Sequence, residues 1–492
     1  MLVFIFLIWS GIAMSGYLGR KIGCIGYLIG FLAGIALVIT VIIIFGLIVD
    51  TIGFLNFNRK SKLEQFSKRL KVPELDLRCG HVNDKNLDYI LAHADLQLEK
   101  IKSLYLSHTG ITDRSLDHFN CCKELNSINL DSTKITDRGL EKLDHFKKLS
   151  SIDLSYTKIT GSGLGHLSNL KELKKLNFHG CNKLKNKYII NICNHVSLQV
   201  LSFSFSTLRN EGLLALKNLP NLRELDVHAC KITDSGLSNI GRFTTLQKVD
   251  ICRNKITGAG LRHLYPLHEL KELELRETLV TTIDDDFQRE LSSLCSLYFR
   301  GTKINDACLE KIQELKNLKW LNLKHTNITN KGLLYVNKLS NLEQLYLPRQ
   351  ISSAGLSHLR DLTSLKILHH KYYAISDEEL RYLSNMSNLT KFKFDLSKIT
   401  DDGIAHLKDC KSLTFLNLCQ TKITDRSMEI ISQFSELETL YINGTKVTPN
   451  SMPHLIKLSK LKELFLSNKF SKKHKQELEA NLPDCKIYLF LA

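Results

Sequence analysis

Missing from this 492-residue sequence are the short motifs that carry chemistry: there is no Gly-x-Ser-x-Gly elbow, no phosphate-binding loop, no His-Glu-x-x-His pair and no dinucleotide fingerprint. Each motif is a local arrangement that its reaction needs, so their absence argues against an enzyme and leaves neither cofactor nor metal expected. The 13 cysteines include no Cys-x-x-Cys pair. Cys121-Cys122 and Cys193-x-His195 lack a second half at zinc-like spacing, and reduced structural or surface thiols are expected instead. Acids are outnumbered, 50 against 67 lysines and arginines, for a net charge of +17. That excess points to an acidic protein or anionic lipid as partner and makes nucleic acid a poorer match. Core material is not lacking, since 43% hydrophobic and 24% charged residues exclude a disordered or low-complexity chain.

Charge is also missing locally. Residues 1–49 carry only Arg20 and Lys21, whereas the chain after Asn58 is richly charged. The uncharged run from Ile22 to Val49 would make a helix of about 42 Å, longer than a hydrocarbon core of about 30 Å, and is expected to span a membrane. Residues 2–19 are apolar too, which favours a two-span hairpin over one span with an interfacial prefix. Residues 1–57 thus form the expected anchor and 58–71 a basic linker. Arg59, Lys60, Lys62, Lys68, Arg69 and Lys71 lie beyond the second span, so the positive-inside rule places the rest of the chain in the cytoplasm. The same basic stretch, 59–71, suits anionic headgroups. Gly26, Gly30 and Gly34 have the spacing that lets a second helix approach, a candidate route to homo-oligomers.

After residue 70 the sequence repeats itself. A Thr-x-Ile-Thr-like string returns from Ile111, Ile135 and Ile159 through to Val447 at intervals of 24 residues, with one of 25 and one of 23. Within a unit, Leu149-x-x-Ile152-x-Leu154 alternates as a strand does, while Leu164, Leu167 and Leu170 line a helical or 3₁₀ face. Thr136-Asp137 and Thr424-Asp425 stand at helix starts, where the hydroxyl can cap the free amides and the carboxylate can favour the positive helix end. The acidic run Asp284, Asp285, Asp286 fits the same role. A small polar residue such as Thr133 or Thr157 is expected to point inward and satisfy backbone groups of the adjoining turn. No unit could bury its leucines alone, so the units must stack.

The pattern L-x-x-L-x-L-x-x-[TNC]-x-I-T-D-x-G-L resembles the leucine-rich repeat family over residues 72–470, with residues 471–492 as a C-terminal cap. Its helix start is similar to bacterial repeats and to the cysteine-containing repeats of F-box substrate receptors, although only the linker 58–71 separates the expected membrane segment from the repeats, too little to hold an F-box. The resemblance implies an α/β leucine-rich repeat solenoid, a curved horseshoe with parallel concave strands and a helical or 3₁₀ convex side, preceded here by a transmembrane helix or hairpin. It implies protein binding on the concave face and no chemistry.

Residues interleaved with the strand leucines face that side. The middle repeats supply Glu224, Asp226, Asp250, Glu272 and Glu274, interrupted by Lys248. Later repeats supply Trp320, Lys324, Tyr346, Arg349, His369, Lys371, Tyr372, Lys393, Phe415 and Tyr441, an aromatic and basic strip of the composition that interfaces favour. A membrane-anchored scaffold that recruits a protein is the reading that follows. A self-associating structural protein and a ligase-like receptor without a recognisable F-box are the alternatives.

Overall fold

A computed structural model describes residues 70–490 except 72, 79–81, 94–96, 194, 370–375 and 394–397. The expected membrane segments, most of the basic linker, Lys371 and Tyr372 lie outside the described residues. No helix among the described residues is long and apolar enough to cross a membrane.

The repeats stack into one continuous sheet. Strands three residues long, such as Ser127–Asn129, Ser151–Asp153 and Lys175–Asn177, pair in parallel with their neighbours, each in register with the residue 24 or so positions on. The alternation that marks each strand also fixes its orientation. Ile128, Ile152 and Leu176 are buried to 1% exposure, while the residues beside them face the concave side. Short α-helices such as Asp137–Leu143 alternate with 3₁₀ turns such as Leu164–Asn169 on the opposite side, and their leucines meet those of the strands in a single elongated core. Burying each such side chain stabilises the stack by about 1.5–3 kcal/mol.

Three devices join one coil to the next. The first is a left-handed residue just past the strand, at Ser132, Tyr156, Gly180, Phe205, Ala229, Arg253 and their equivalents. Its N–H reaches the next coil, as from Tyr156 to the His179 carbonyl at 2.7 Å, so the ladder continues beyond the strand. Glycine takes this conformation without strain at Gly180, Gly301 and Gly444, whereas a side chain there costs about 1 kcal/mol.

The inward polar residue is the second. Thr133, Thr157 and Thr326 donate to the carbonyl three residues back in their own turn at 2.6–2.7 Å, which corrects the expectation of a bond to the adjoining turn. Other residues at this position do cross: Cys181 Sγ donates to Leu154 O at 3.1 Å, Cys230 Sγ to Phe203 O at 3.0 Å, and Asn254 donates to Val227 O at 2.8 Å and accepts from Ile232 N. In the 23-residue unit, Gln350 serves instead, with bonds to Thr326 O and Ile328 O.

A carboxylate stitch is the third. Asp137 stands in the first turn of its own helix, as expected, with the Thr136 hydroxyl accepting from Arg138 N. It also accepts from Thr160 N and Oγ1 and from the Gly161 and Gly163 N–H groups of the next coil. Asp113, Asp234, Asp306, Asp377, Asp401 and Asp425 make the same paired bonds to the following threonine. The neighbouring coil comes so close here that glycine recurs two residues after the aspartate position, at Gly139, Gly163, Gly236 and Gly260. A Cβ at Gly163 would lie 2.3 Å from the Asp137 carbonyl oxygen, and one at Gly139 2.6 Å from Asp113 Oδ1. Serine in the glycine's place joins the stitch at Ser115, which donates to Asp84 at 2.5 Å, and at Ser427, which donates to Asp401, whereas Ser451 donates to Thr448 O of its own turn.

The two ends differ. Leu70 and Lys71, placed by the sequence in the linker, form a strand that pairs antiparallel with Glu74–Asp76. At the other end, helix Lys472–Asn481 packs on the five-residue strand Lys486–Phe490, which pairs in parallel with Glu463–Ser467.

Candidate protein-binding face

The concave strip carries two kinds of surface. In the carboxyl-terminal half, Trp320, Tyr346 and His369 project from consecutive strands, and the short strand spacing brings their rings together. Tyr298 and Trp320 lie 5.6 Å apart, Trp320 and Tyr346 stack at 5.7 Å and 14°, and Tyr346 and His369 stack at 5.5 Å and 21°. Lys324 sits over the Tyr346 ring at 4.9 Å. Burial raises the Tyr346 hydroxyl above its ordinary pKa, so the ring stays neutral across physiological pH. The Trp320 indole Nε1 is covered and has no hydrogen-bond partner among the described residues. Arg349 stands exposed at the rim.

Phe415 and Tyr441 belong to a separate group further along. Tyr441 stacks on Phe465 at 3.9 Å and Phe465 on Tyr488 at 4.6 Å, with Phe415 5.6 Å from Tyr441. Strand Lys391–Lys393, which includes Lys393, runs between the two groups. The expected strip is thus two ring rows separated by a lysine strand. Its members are ordered by contact with each other, so lateral packing and exposure coexist.

The amino-terminal half is polar. A basin of about 520 Å³ is lined by Tyr156, His179, Ser204, Glu224, Asp226 and Asp250. Asp226 accepts from Ser202 Oγ at 2.8 Å and from the His228 N–H. Sequence reasoning found the acids here but missed the row Tyr156, His179, Phe205 and His228, whose rings follow one another at 4.9, 5.3 and 4.7 Å. The signal was the left-handed position, where Tyr156 and Phe205 are held with 56% and 40% exposure.

Beside this basin, ligand atoms of Asp250, Cys252 and Glu274 lie within 4.8 Å of one another, a grouping the sequence did not suggest. Burial, and then the Asp250 charge, raises the Glu274 carboxyl. Burial lowers the His228 imidazole despite the carboxylates of Asp250 and Asp226. Arg276 already answers this charge, with Nε 2.7 Å from Glu274 and Nη2 3.8 Å from Asp250. The three-residue group is therefore a compensated ion cluster. The cysteines among the described residues are free thiols. The acidic run lies at a helix start as expected, with Asp286 immediately before helix Phe287–Glu290, and it is also ion-paired: Asp284 takes Arg262 at 2.6 Å and the Tyr265 hydroxyl, Asp285 takes Lys311, and Asp286 takes Arg289 at 2.8 Å.

A model of a leucine-rich repeat region matches residues 236–488, just over half of the chain, and a single leucine-rich repeat model matches 218–241. The chain belongs to the leucine-rich repeat family. Solved leucine-rich repeat structures agree in fold. A Leptospira interrogans leucine-rich repeat protein is 22% identical with a TM-score of 0.54, covering 83% of this chain and 99% of that one. TLR13, in its complex with ssRNA13, is 18% identical with a TM-score of 0.56, covering 86% and 67%. Identities this low speak for the fold alone. No match was found among curated proteins.

Proposed function

We propose that this leucine-rich repeat protein is a recruitment scaffold: the carboxyl-terminal half of its concave face captures a protein, and the apolar segments 2–19 and 22–49 tether it to a membrane with the repeats on the cytoplasmic side. The observation that carries the reading is the row Tyr298, Trp320, Tyr346 and His369, pre-stacked with Lys324 over its centre. Rings fixed before binding lose little conformational freedom on contact, and Trp, Tyr and cationic groups dominate interface energetics. Lys324 and Arg349 favour an acidic partner surface. Tethering then raises the partner's local concentration without making or breaking a bond.

The test is co-purification of partner with the full chain from membranes, followed by affinity measurement. Trp320→Ala with Tyr346→Ala should weaken capture at least about tenfold and leave the rest of the fold intact. Undiminished capture, or an equal loss on Asp226→Asn in the polar half, would remove the site from this row.

A further inference from the structure

Among the described residues, the outer edge of strand Lys486–Phe490 is paired with no other strand, and its one charge is at its first residue. Along this sheet, residues facing the concave side turn their N–H to the preceding strand, as Glu463 does to Glu438 O at 3.0 Å, while inward residues turn theirs to the following strand, as Ile442 does to Phe465 O at 2.9 Å. Lys486 obeys the rule by donating to Lys462 O at 2.8 Å. The N–H and C=O groups of Ile487 and Leu489 therefore point outward, on the side away from Glu463–Ser467, where no strand pairs among the described residues. Proline and charge are both absent from 487–490. With Glu463–Ser467, this strand is also longer than the three-residue strands of the repeats. The opposite end of the sheet is closed by the antiparallel strand Leu70–Lys71.

We propose that a second copy of this chain adds its own Lys486–Phe490 antiparallel to this edge, giving a two-fold, tail-to-tail dimer with a continuous sheet. The strand is self-complementary in that register. Ile487 of each copy exchanges both backbone bonds with Leu489 of the other, and Tyr488 meets its symmetry mate in the close, non-hydrogen-bonded pairing with Cα atoms about 4.5 Å apart. Lys486 falls opposite Phe490, so the two lysines are kept at opposite ends of the pairing. Tyr488 and Phe490, 39% and 47% exposed, would meet their counterparts on one face, and the ring row Tyr441, Phe465 and Tyr488 would run on into the other copy. An unprotected hydrophobic edge pairs with another strand unless something prevents it, and this pairing satisfies every outward amide.

The full chain in detergent should sediment as a concentration-dependent dimer. Amide exchange of the 484–490 peptide should slow on dimerisation while that of 103–129 does not. Tyr488→Lys sets like charges across the two-fold axis and should weaken the dimer roughly tenfold while the monomer still folds, as its circular dichroism would show. An equimolar mixture of Tyr488→Lys and Tyr488→Glu should restore it. Leu489→Pro removes an outward donor while keeping the bonds to Glu463–Ser467, and should leave monomer. A monomeric wild type overturns the proposal. So does a dimer that survives both Tyr488→Lys and Leu489→Pro, because association then runs through another surface, such as the glycine-spaced segment. Failure of the opposite-charge mixture to re-form the dimer overturns the register.

Discussion

Two stretches of the solenoid hold their coils together by different means. From Asp377 to Thr448 each coil is stitched to the next by a half-buried aspartate that accepts from a threonine's N–H and hydroxyl. Between Thr257 and Asn305 the aspartate position holds Gly258 and then Thr282, and no such stitch forms there. Ion pairs on the surface take over: Arg253 with Glu277, Arg262 with Asp284, and Lys311 with Asp285. A neutral donor on a shielded carboxylate is worth more than an exposed charge pair, because the pair must give up hydration and side-chain freedom for a screened attraction. The two stretches should respond differently to substitution, acid and salt.

The largest contrast concerns a stitch's own glycine. Gly163→Ala sets a Cβ against the Asp137 backbone and should cost about 3 kcal/mol. Gly165→Ala, two residues on and with nothing within 4 Å, should be neutral or gain about 0.5 kcal/mol. Chemical denaturation of both variants decides it, and equal effects would break the account of the glycine. Next, Asp401→Ala strands Thr424 and Ser427 and should cost about 2 kcal/mol. Asp285→Ala, which loses only the exposed pair with Lys311, should cost less than about 0.5 kcal/mol by the same denaturation.

Acid separates the stretches by sign. Hydrogen bonds from Ser427 and Thr424 outweigh burial and hold the Asp401 carboxyl below its ordinary value, as those from Gly163 and Thr160 do for Asp137. Their stabilisation is present above the unfolded value near pH 4 and is lost as pH falls through the lower folded one. Glu274 is raised, so its contribution is complete below its unfolded value, about pH 4.3, and is lost as pH rises through the folded one. Amide exchange corrected for intrinsic rate should therefore show the 272–276 segment gaining protection from pH 7 to about 4.5, and the 401–424 segment losing it only below about pH 4. Matching profiles would erase the distinction. The smallest effect is that of salt: 1 M sodium chloride shortens screening to about 3 Å and should speed exchange slightly around 253–285 while sparing 401–448.

Much of this was legible in the residues. The 24-residue interval announced the parallel register, the strand leucines named the core, and the interleaved positions placed Trp320, Tyr346 and His369 on one face. What the sequence hid is contact between units. Asp137 reads as a helix cap because its neighbours in sequence are a helix, and only stacking shows that Thr160 lies closer to its carboxylate. Tyr156 and Phe205 look like strand-end residues until the left-handed turn exposes them. Phe415 and Tyr441 were grouped with Trp320 by composition, yet the intervening strand puts them in another row.

The uneven stitching also sets where the molecule would yield under load. Pulled from its ends, a solenoid gives way one coil at a time, and freeing a 24-residue coil releases about 80 Å of chain. The coils between Thr257 and Asn305 carry no carboxylate stitch, nor do those from Gly161 to Arg209, so a force ramp should record its earliest steps in these two stretches and its latest within the stitched run ending at Thr448. A protein that holds a partner against a moving surface would in this way have a fuse near its middle, giving up Tyr298 but leaving Trp320, Tyr346, His369 and the second ring row folded while it extends.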